Sequence, residues 1–236
     1  MDIFWGELIG TMMLILLGDG VVANVLLRQS KGYKSGWIVI TVGWGLAVCI
    51  AVYLSANLSG AHINPAVTLG LSLAGKSPWH LMPIYITGQV LGAMLGAILV
   101  WLAYLPYFRG TPESKMKLMC FATKPAIRNF GSSLVTEIIA TAVLLIGVLA
   151  MIDPMNHIPV DLIPFLFGLL VLSIGVSLGG PTGYAINPAR DFGPRVIHSL
   201  LPIHGKGSSE WDYAWVPVVV PCIGAVLGVA LYMSVF

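Results

Sequence analysis

The sequence predicts an all-α membrane protein with six transmembrane helices and two re-entrant half-helices, arranged as an inverted internal repeat. Three observations lead to this fold class. Only 9% of the 236 residues are charged and the mean hydropathy is +0.90, whereas soluble domains carry about 25% charged residues. Six apolar stretches reach the roughly 20 residues that a membrane span needs. The tripeptide Asn-Pro-Ala also occurs twice, each time before a shorter apolar stretch.

The composition excludes several classes of function. A net charge of +2 without runs of Lys or Arg argues against nucleic acid as a partner. The three cysteines, Cys49, Cys120 and Cys222, share no motif spacing, and the five histidines lack ligand spacing. We find no nucleophile motif, phosphate loop or CxxC. The sequence therefore predicts no metal site, no cofactor and no enzymatic activity.

Six spans and two half-helices can be placed along the chain. The start of the chain has neither a basic n-region nor an A-x-A cleavage site, so we expect the first apolar run to remain as a span. The predicted spans lie near 4–27, 37–56, 80–104, 132–152, 161–179 and 214–235. The stretches near 65–75 and 188–199 are too short to span, and such segments at membrane depth suggest re-entrant half-helices.

The two halves of the chain are related by duplication. Asn64-Pro65-Ala66 recurs as Asn187-Pro188-Ala189 at an offset of 123 residues, and the same offset aligns Gly45 with Gly168 and Gly60 with Gly183. Glu7 matches Glu137 at an offset of 130. Three spans per half force the second half to insert upside down, with the functional site near the midplane. We therefore predict one domain, 1–236, with repeat halves of about 1–110 and 130–236.

The paired tripeptides carry the strongest chemical signal. Asn is a preferred helix N-cap and Pro is preferred at the first helical position. Inverted symmetry brings two such helix starts together at mid-membrane, each with the partial positive end of a helix dipole. Two positive ends facing a pore would repel cations and protons. The asparagine amides could also donate hydrogen bonds to a passing oxygen atom.

Charged residues within spans are costly and usually functional. Glu7 and Glu137 occupy equivalent repeat positions, and we expect each carboxylate to accept hydrogen bonds from a re-entrant loop and so brace it; a proton-carrying glutamate of a coupled transporter is the rival interpretation. Arg190 breaks the symmetry, because its repeat partner is Val67. A guanidinium there could bind hydroxyl groups and reject cations. Asp19 is a further candidate for a charge within a span.

The stretches SGAHINPAVT (59–68) and TGYAINPARDFGP (182–194) resemble the two signatures of the major intrinsic protein, or aquaporin, family. The resemblance covers essentially the whole chain. It implies an aquaporin-like fold, a constriction at the two Asn-Pro-Ala tripeptides, one pore per protomer and a homotetramer. It also implies a multi-pass protein of the cell membrane, with both termini in the cytoplasm; the short termini and connections suggest a bacterial source.

Within the family the chain is similar to the glycerol facilitator branch, the aquaglyceroporins. The resemblance places the four positions of the selectivity filter on Trp44, Gly175, Tyr184 and Arg190, and strict water channels carry His at the Gly175 position. Asp191 is typical of the glycerol-conducting branch. The resemblance further implies a pore lined by backbone carbonyl groups of the loops, at Gly60, Ala61, His62, Ile63, Thr182, Gly183 and Ala185.

The resemblance therefore predicts facilitated diffusion of glycerol and water, with ions and protons excluded. Dihydroxyacetone, urea, hydrogen peroxide and protonated small organic acids are further candidate solutes. Two alternatives stay open: a proton-coupled secondary transporter using Glu7 or Glu137, and a non-conducting adhesion protein. The orientation is also open, because nine Lys or Arg residues fall in connections that the family topology places outside, against the positive-inside rule.

Overall fold

The computed structural model describes residues 2–236, and within them the chain forms helices and no strand. The ten α-helices are α1 (Asp2–Leu26), α2 (Trp37–Ser59), α3 (Pro65–Leu73), α4 (Met82–Ala103), α5 (Leu105–Gly110), α6 (Ser114–Met119), α7 (Phe130–Ile152), α8 (Ile163–Leu178), α9 (Pro188–Leu200) and α10 (Trp211–Val235). Six of them, α1, α2, α4, α7, α8 and α10, are long and apolar enough to cross a membrane, when α4 and α8 are counted with the 3-10 turns Trp79–Leu81 and Val160–Leu162 that precede them. The predicted fold class is confirmed, and the predicted boundaries agree to within a few residues.

The two half-helices begin where the sequence predicts. Asn64 caps α3 through its side-chain oxygen, which accepts from the N–H of Ala66 at 2.9 Å, and Asn187 caps α9 by accepting from the N–H of Ala189 at 3.0 Å. At 1.5 Å per residue, α3 and α9 are about 14 and 20 Å long, so neither can cross a hydrocarbon core of about 30 Å.

The half-helices hold the two halves of the molecule together. The long helices pack mainly within each half, α1 against α2 and α4, and α7 against α8 and α10. In contrast, α3 packs against α10 of the second half, α9 packs against α4 of the first half, and α2 crosses α8. The element order of helix, helix, half-helix, helix is the same in both halves; the division at about 110 and 130 stays a prediction.

Glycines allow the closest helix crossings. A Cβ atom added at Gly92 of α4 would lie 2.3 Å from the carbonyl oxygen of Leu8 in α1, and one at Gly224 of α10 would lie 2.6 Å from a carbonyl oxygen of α7. At the crossing of α2 and α8, Gly45 and Gly168 each lie against the other's carbonyl oxygen, at 2.8 and 2.6 Å from the added Cβ. Small residues of this kind let membrane helices approach at backbone distance.

The polar connections gather on two opposite faces. On one face, the segment after α1 meets the segment before α6 through the pair Arg28–Glu113, and Lys124 pairs with Glu210. Lys117 is buried there, donates to the His204 carbonyl, and burial lowers the pKa of its ammonium group. On the other face, the Tyr232 hydroxyl donates to the carboxylate that follows α7.

Candidate functional site

The two Asn-Pro-Ala segments meet in the middle of the molecule and are hydrogen-bonded to each other. The Nδ2 group of Asn64 donates to the carbonyl oxygen of Ile186 at 2.8 Å, and the Nδ2 group of Asn187 donates to that of Ile63, also at 2.8 Å. Each amide NH₂ has two hydrogens. One is used in this exchange, so one donor per asparagine is left, and both side chains line the central cavity.

Glu7 accepts four hydrogen bonds beneath the first loop, which is the segment 60–64 between α2 and α3. Its Oε1 atom accepts from the Ser59 hydroxyl at 2.6 Å and from the N–H of His62 at 3.0 Å. Its Oε2 atom accepts from the N–H of Ile63 at 2.7 Å and from the Gln89 side chain at 2.6 Å. The carboxylate is completely buried, so all of its hydrogen bonds go to the loop and to helices α2 and α4.

Glu137 repeats this arrangement beneath the second loop, which is the segment 179–187 between α8 and α9. Its Oε1 atom accepts from the Thr182 hydroxyl at 2.7 Å and from the N–H of Ala185 at 3.0 Å, and its Oε2 atom accepts from the N–H of Ile186 at 2.9 Å. These three donors are the repeat partners, at an offset of 123, of three donors to Glu7. The fourth donor, Gln89, has no counterpart at Glu137, and sequence reasoning did not identify it.

The loops have a left-handed backbone at matched positions. Positive φ angles occur at Ala61 and Tyr184 (54° and 38°), and at Ile63 and Ile186 (both 44°). A positive φ is unusual for any residue with a side chain, and for β-branched isoleucine it is a true outlier costing about 1–3 kcal/mol. The N–H of each isoleucine is held by a glutamate and its carbonyl by an asparagine, so both ends of the strained residue are fixed.

Two cavities meet at one ring of side chains. The central cavity runs along the two loops and is lined by apolar residues such as Val52 and Phe167. The second cavity opens toward the face that carries Lys124. Three residues line both cavities: Trp44, Tyr184 and Arg190. The two cavities therefore adjoin at three of the four residues that the resemblance assigned to the selectivity filter.

The fourth of these residues, Gly175, lies behind the ring and not on the cavity surface. A Cβ atom added at Gly175 would lie 2.8 Å from Cζ and 2.9 Å from Oη of Tyr184. The space that a side chain at Gly175 would occupy is filled by the tyrosine ring, which lies directly against α8 at this position. The Tyr184 hydroxyl is buried without a hydrogen-bond partner among the described residues.

Arg190 has a fixed position against an aromatic ring and a carboxylate. Its guanidinium carbon lies 4.1 Å from the centre of the Trp44 ring. Its Nη1 atom lies 3.2 Å from Oδ1 of Asp19 and 3.4 Å from the carbonyl oxygen of Phe121. A Cβ atom at Gly18 would lie 2.3 Å from the Trp44 ring. Sequence reasoning missed Gly18, although a glycine next to a charge within a span is a signal that could have been followed.

Asp191 links α9 to both neighbouring connections. Its carboxylate accepts from the backbone and the hydroxyl of Thr123, each at 2.7 Å, and from Arg195 at 2.7 and 3.0 Å. Arg195 in turn donates to the carbonyl oxygen of Ser209 at 2.7 Å. Asp191, which the resemblance gave as typical of the glycerol-conducting branch, is thus completely buried and lines neither cavity. Its hydrogen bonds hold the connections around the second cavity.

The structure brings together most of the predicted pore-lining segments. Ala61, His62, Ile63 and Ala185 line the central cavity and Gly183 lines the second one. Gly60 and Thr182 do not line either cavity; Thr182 instead donates to the second carboxylate. His62 stacks on Tyr85 at 4.0 Å between ring centres. Among residues 2–236 no group of three His, Cys, Asp or Glu side chains could hold a metal ion.

A pair of half-helices that meet at mid-depth, an amphipathic ring between two cavities and six membrane-capable helices define a multi-pass membrane channel. The chain matches the model of the major intrinsic protein family over residues 2–232, and it belongs to that family. The family and the relatives below are channels and facilitators rather than enzymes.

Several relatives are similar over their full length. A Thermotoga maritima protein described as "Probable glycerol uptake facilitator protein" is 58% identical over 236 residues, which is all of both chains. The glycerol uptake facilitator protein of Bacillus subtilis is 49% identical over all of this chain and 85% of the relative. Among solved structures, the aquaglyceroporin from Plasmodium falciparum matches with a TM-score of 0.89 at 34% identity, covering 99% of this chain and 96% of that one.

Proposed function

We propose that this protein is a passive channel for glycerol and water. The observation that carries the proposal is the amphipathic ring at the junction of the cavities, where the aromatic faces of Trp44 and Tyr184 share the passage with the Arg190 guanidinium. A polyol has an apolar carbon side and a hydroxyl side, so it matches such a ring. The names of the relatives point to the same solute.

The contacts suggest how a glycerol molecule would cross. Its carbon backbone would slide along the two aromatic rings while its hydroxyl groups accept hydrogen bonds from Arg190. Further along, the free hydrogen on each amide of Asn64 and Asn187 would donate to a hydroxyl oxygen. Loop carbonyl groups would accept from the hydroxyl hydrogens. Every donor is fixed before the solute arrives, so passage needs no conformational cycle and follows the gradient.

Exclusion of ions would rest on the same parts. The starts of α3 and α9 both face the Asn64–Asn187 contact, and each contributes about half a positive charge from its helix dipole. A cation would meet both dipole ends, and an anion would lose its hydration in an apolar cavity. Because both asparagines would donate to the oxygen of the same water molecule, that water could not accept a hydrogen bond from the next water, and a chain for proton transfer would be interrupted there.

The proton-coupled alternative gains no support from the contacts or the comparisons. A proton-carrying carboxylate must be reached from the pore, whereas Glu7 and Glu137 are 0% and 1% exposed. Every oxygen of both carboxylates already accepts hydrogen bonds from the loops or their neighbours. We propose that they brace the two loops, and that Trp44, Gly175, Tyr184 and Arg190 form the selectivity filter.

The finer properties are part of the same proposal. Urea, dihydroxyacetone, hydrogen peroxide and protonated small acids are neutral and small enough to be further solutes, and a homotetramer in a bacterial cell membrane follows the family pattern.

We propose cytoplasmic termini. Lys76 and Lys115 are exposed on opposite faces, so Lys76→Cys should resist an impermeant thiol reagent in intact cells while Lys115→Cys reacts. The reverse pattern would invert the topology.

Stopped-flow light scattering on proteoliposomes tests the proposed function. Vesicles with the purified protein and empty vesicles are given a glycerol gradient, and a sucrose gradient measures water flow alone. We expect fast shrinkage in both gradients and rapid reswelling only in glycerol with the protein present. Fast water flow without glycerol entry would instead make the protein a water channel, and glycerol entry that requires a proton gradient would make it a coupled transporter.

A further inference from the structure

We infer that Asp19 is a positioning residue for selectivity, which acts through Arg190: the two form a charge-neutral pair, so that the filter offers fixed donors without a net positive charge. This inference rests on the proposed channel function. It concerns a carboxylate in the middle of α1, a helix that contributes no residue to the predicted filter.

Asp19 contacts the Arg190 guanidinium directly. Oδ1 of Asp19 lies 3.2 Å from Nη1 of Arg190, and the side chains are 0% and 8% exposed. Arg190 lines both cavities, but Asp19 lines neither. The carboxylate therefore stands behind the guanidinium, on the side away from the pore, where it can set the charge and direction of the arginine without touching a solute.

The other buried carboxylates already have partners. Glu7 and Glu137 hold the two loops, and Asp191 is taken by Arg195 and Thr123. Among the described residues, Asp19 is thus the one buried carboxylate available to Arg190. Its Oδ1 atom contacts Arg190, and its Oδ2 atom has no hydrogen-bond partner among residues 2–236. A buried charge without compensation is costly, so the arginine and the carboxylate each need the other.

Helix α1 supports the whole ring from one place. Gly18 is the residue against which the Trp44 ring lies, and Asp19 is its neighbour in sequence. Trp44 in turn stacks on the guanidinium. Two consecutive residues of α1 therefore fix the aromatic and the cationic part of the filter relative to each other. The pair gives a neutral solute its donors but leaves no isolated cation in the passage that would retain anions.

A double-mutant cycle in proteoliposomes tests the pair. Glycerol entry is measured by light scattering and proton entry by a trapped pH dye under a valinomycin potassium clamp. The proteins are the unmodified chain, Arg190→Ala, Asp19→Asn and the double variant. Glu113→Gln is the matched control, because it breaks the Arg28–Glu113 pair, whose side chains are 46% and 40% exposed and lie on the surface.

We expect Arg190→Ala alone to leak protons, because a titratable carboxylate then faces the widened passage. Adding Asp19→Asn should suppress this leak about tenfold, a coupling within the range found for residues in contact. Glu113→Gln should match the unmodified chain. Equal leaks in the single and double variants would overturn the inference, because the widened passage alone would explain them. Glycerol entry through the unmodified chain tests the proposed function separately in the same vesicles.

Asp19→Asn by itself gives a second test. It keeps the shape and one acceptor oxygen but leaves the arginine charge unbalanced. We expect glycerol entry to become sensitive to thiocyanate at constant osmolarity, whereas the unmodified chain is insensitive. If Arg190→Ala cannot be purified, recovery of the double variant supports the pair. Asp19→Asn with unmodified glycerol entry and no thiocyanate effect would contradict it.

Discussion

The two ends of the pore occupy equivalent repeat positions but differ in chemistry. We call the ring of Trp44, Tyr184 and Arg190, together with Gly175 behind it, the charged end. At an offset of 123, its counterparts are the residues that we call the apolar end: Phe167, Val52, Ala61 and Val67. All four counterparts line the central cavity. The repeat thus places two equivalent sets of residues along the pore, of which one has a guanidinium and the other has only apolar side chains.

The difference extends to the supporting helices. The carboxylate behind the charged end is Asp19, and its counterpart at the offset of 130 between α1 and α7 is Leu149, which is also buried. Gly18, against which Trp44 lies, corresponds to Val148. In contrast, the loop-bracing glutamates and the capping asparagines are the same in both halves. The residues that brace the loops and cap the half-helices are thus the same in both halves, whereas the arginine, its carboxylate and the glycine beside it occur in one half only.

The largest effect is expected when the apolar end receives a charge. Val67→Arg places an arginine at the counterpart of Arg190 but without a carboxylate behind it. It should destabilise the protein by up to roughly 3–5 kcal/mol, the cost of a buried charge without its partner. Thermal unfolding of the detergent-solubilised protein measures this. Adding Leu149→Asp should recover part of the stability; no recovery would mean that the two ends differ in more than this pair.

The two bracing carboxylates should differ less strongly. Glu137→Ala leaves two backbone N–H groups and one hydroxyl without an acceptor, at about 1–3 kcal/mol for each buried group. Glu7→Ala should cost less, because the Oε1 atom of Gln89 has no partner and can turn to accept from the first loop. We expect a lower unfolding temperature for Glu137→Ala, and Gln89→Leu should remove the difference. Equal temperatures for the two alanine variants would exclude this role of Gln89.

A histidine at each end compares the two constrictions in transport. Gly175→His must displace the Tyr184 ring, since even a Cβ atom there lies 2.8 Å from it. Glycerol entry should fall about tenfold or more, equivalent to about 1.4 kcal/mol in the barrier, with a smaller loss of water flow. Val52→His, the matched change at the apolar end, should have a weaker effect on the glycerol-to-water ratio. An equal loss of both solutes in Gly175→His would indicate misfolding.

The smallest effect concerns the connections that follow α1 and α7. The first is held by a neutral amide, since Asn24 accepts from the N–H of Gly32 at 3.1 Å. The second is held by Asp153, whose pKa is lowered by hydrogen bonds from the N–H of Met155 and from the Tyr232 hydroxyl. A lowered pKa stabilises the fold above the ordinary value of about 3.9. This contribution is lost as the pH falls through the lowered value.

Asp153→Asn should therefore lower the unfolding temperature slightly at pH 7 and by less at pH 3, which lies below the ordinary pKa. Asn24→Ala should have the same effect at both pH values, because an amide does not titrate. The measurement is thermal unfolding of both variants at the two pH values. A pH-independent effect of Asp153→Asn would mean that its hydrogen bonds matter through shape and not through charge.

Much of the site could be predicted because its signals are local or repeated. The capping residues Asn64 and Asn187 carry helix starts in their own chemistry, and Glu7 and Glu137 stand out as paired charges in apolar runs. Gln89 escaped prediction because one amide in an apolar helix has no pattern that points to a partner 82 positions away. The place of Gly175 was only half predicted, since the sequence shows a missing side chain but not which neighbour fills the space.

The sequence by itself determined the fold class and the two half-helices and predicted the duplication, because hydropathy, repeat offset and helix caps act over short stretches of chain; the pore residues were predicted from the family resemblance. Only the tertiary structure decided which buried charges pair with each other. Asp19 and Arg190 are 171 positions apart, and an apolar environment makes any buried charge seek a partner without specifying which. The contact of α1 with the first turn of α9 selects that partner and thereby gives the two ends of one repeated scaffold different chemistry.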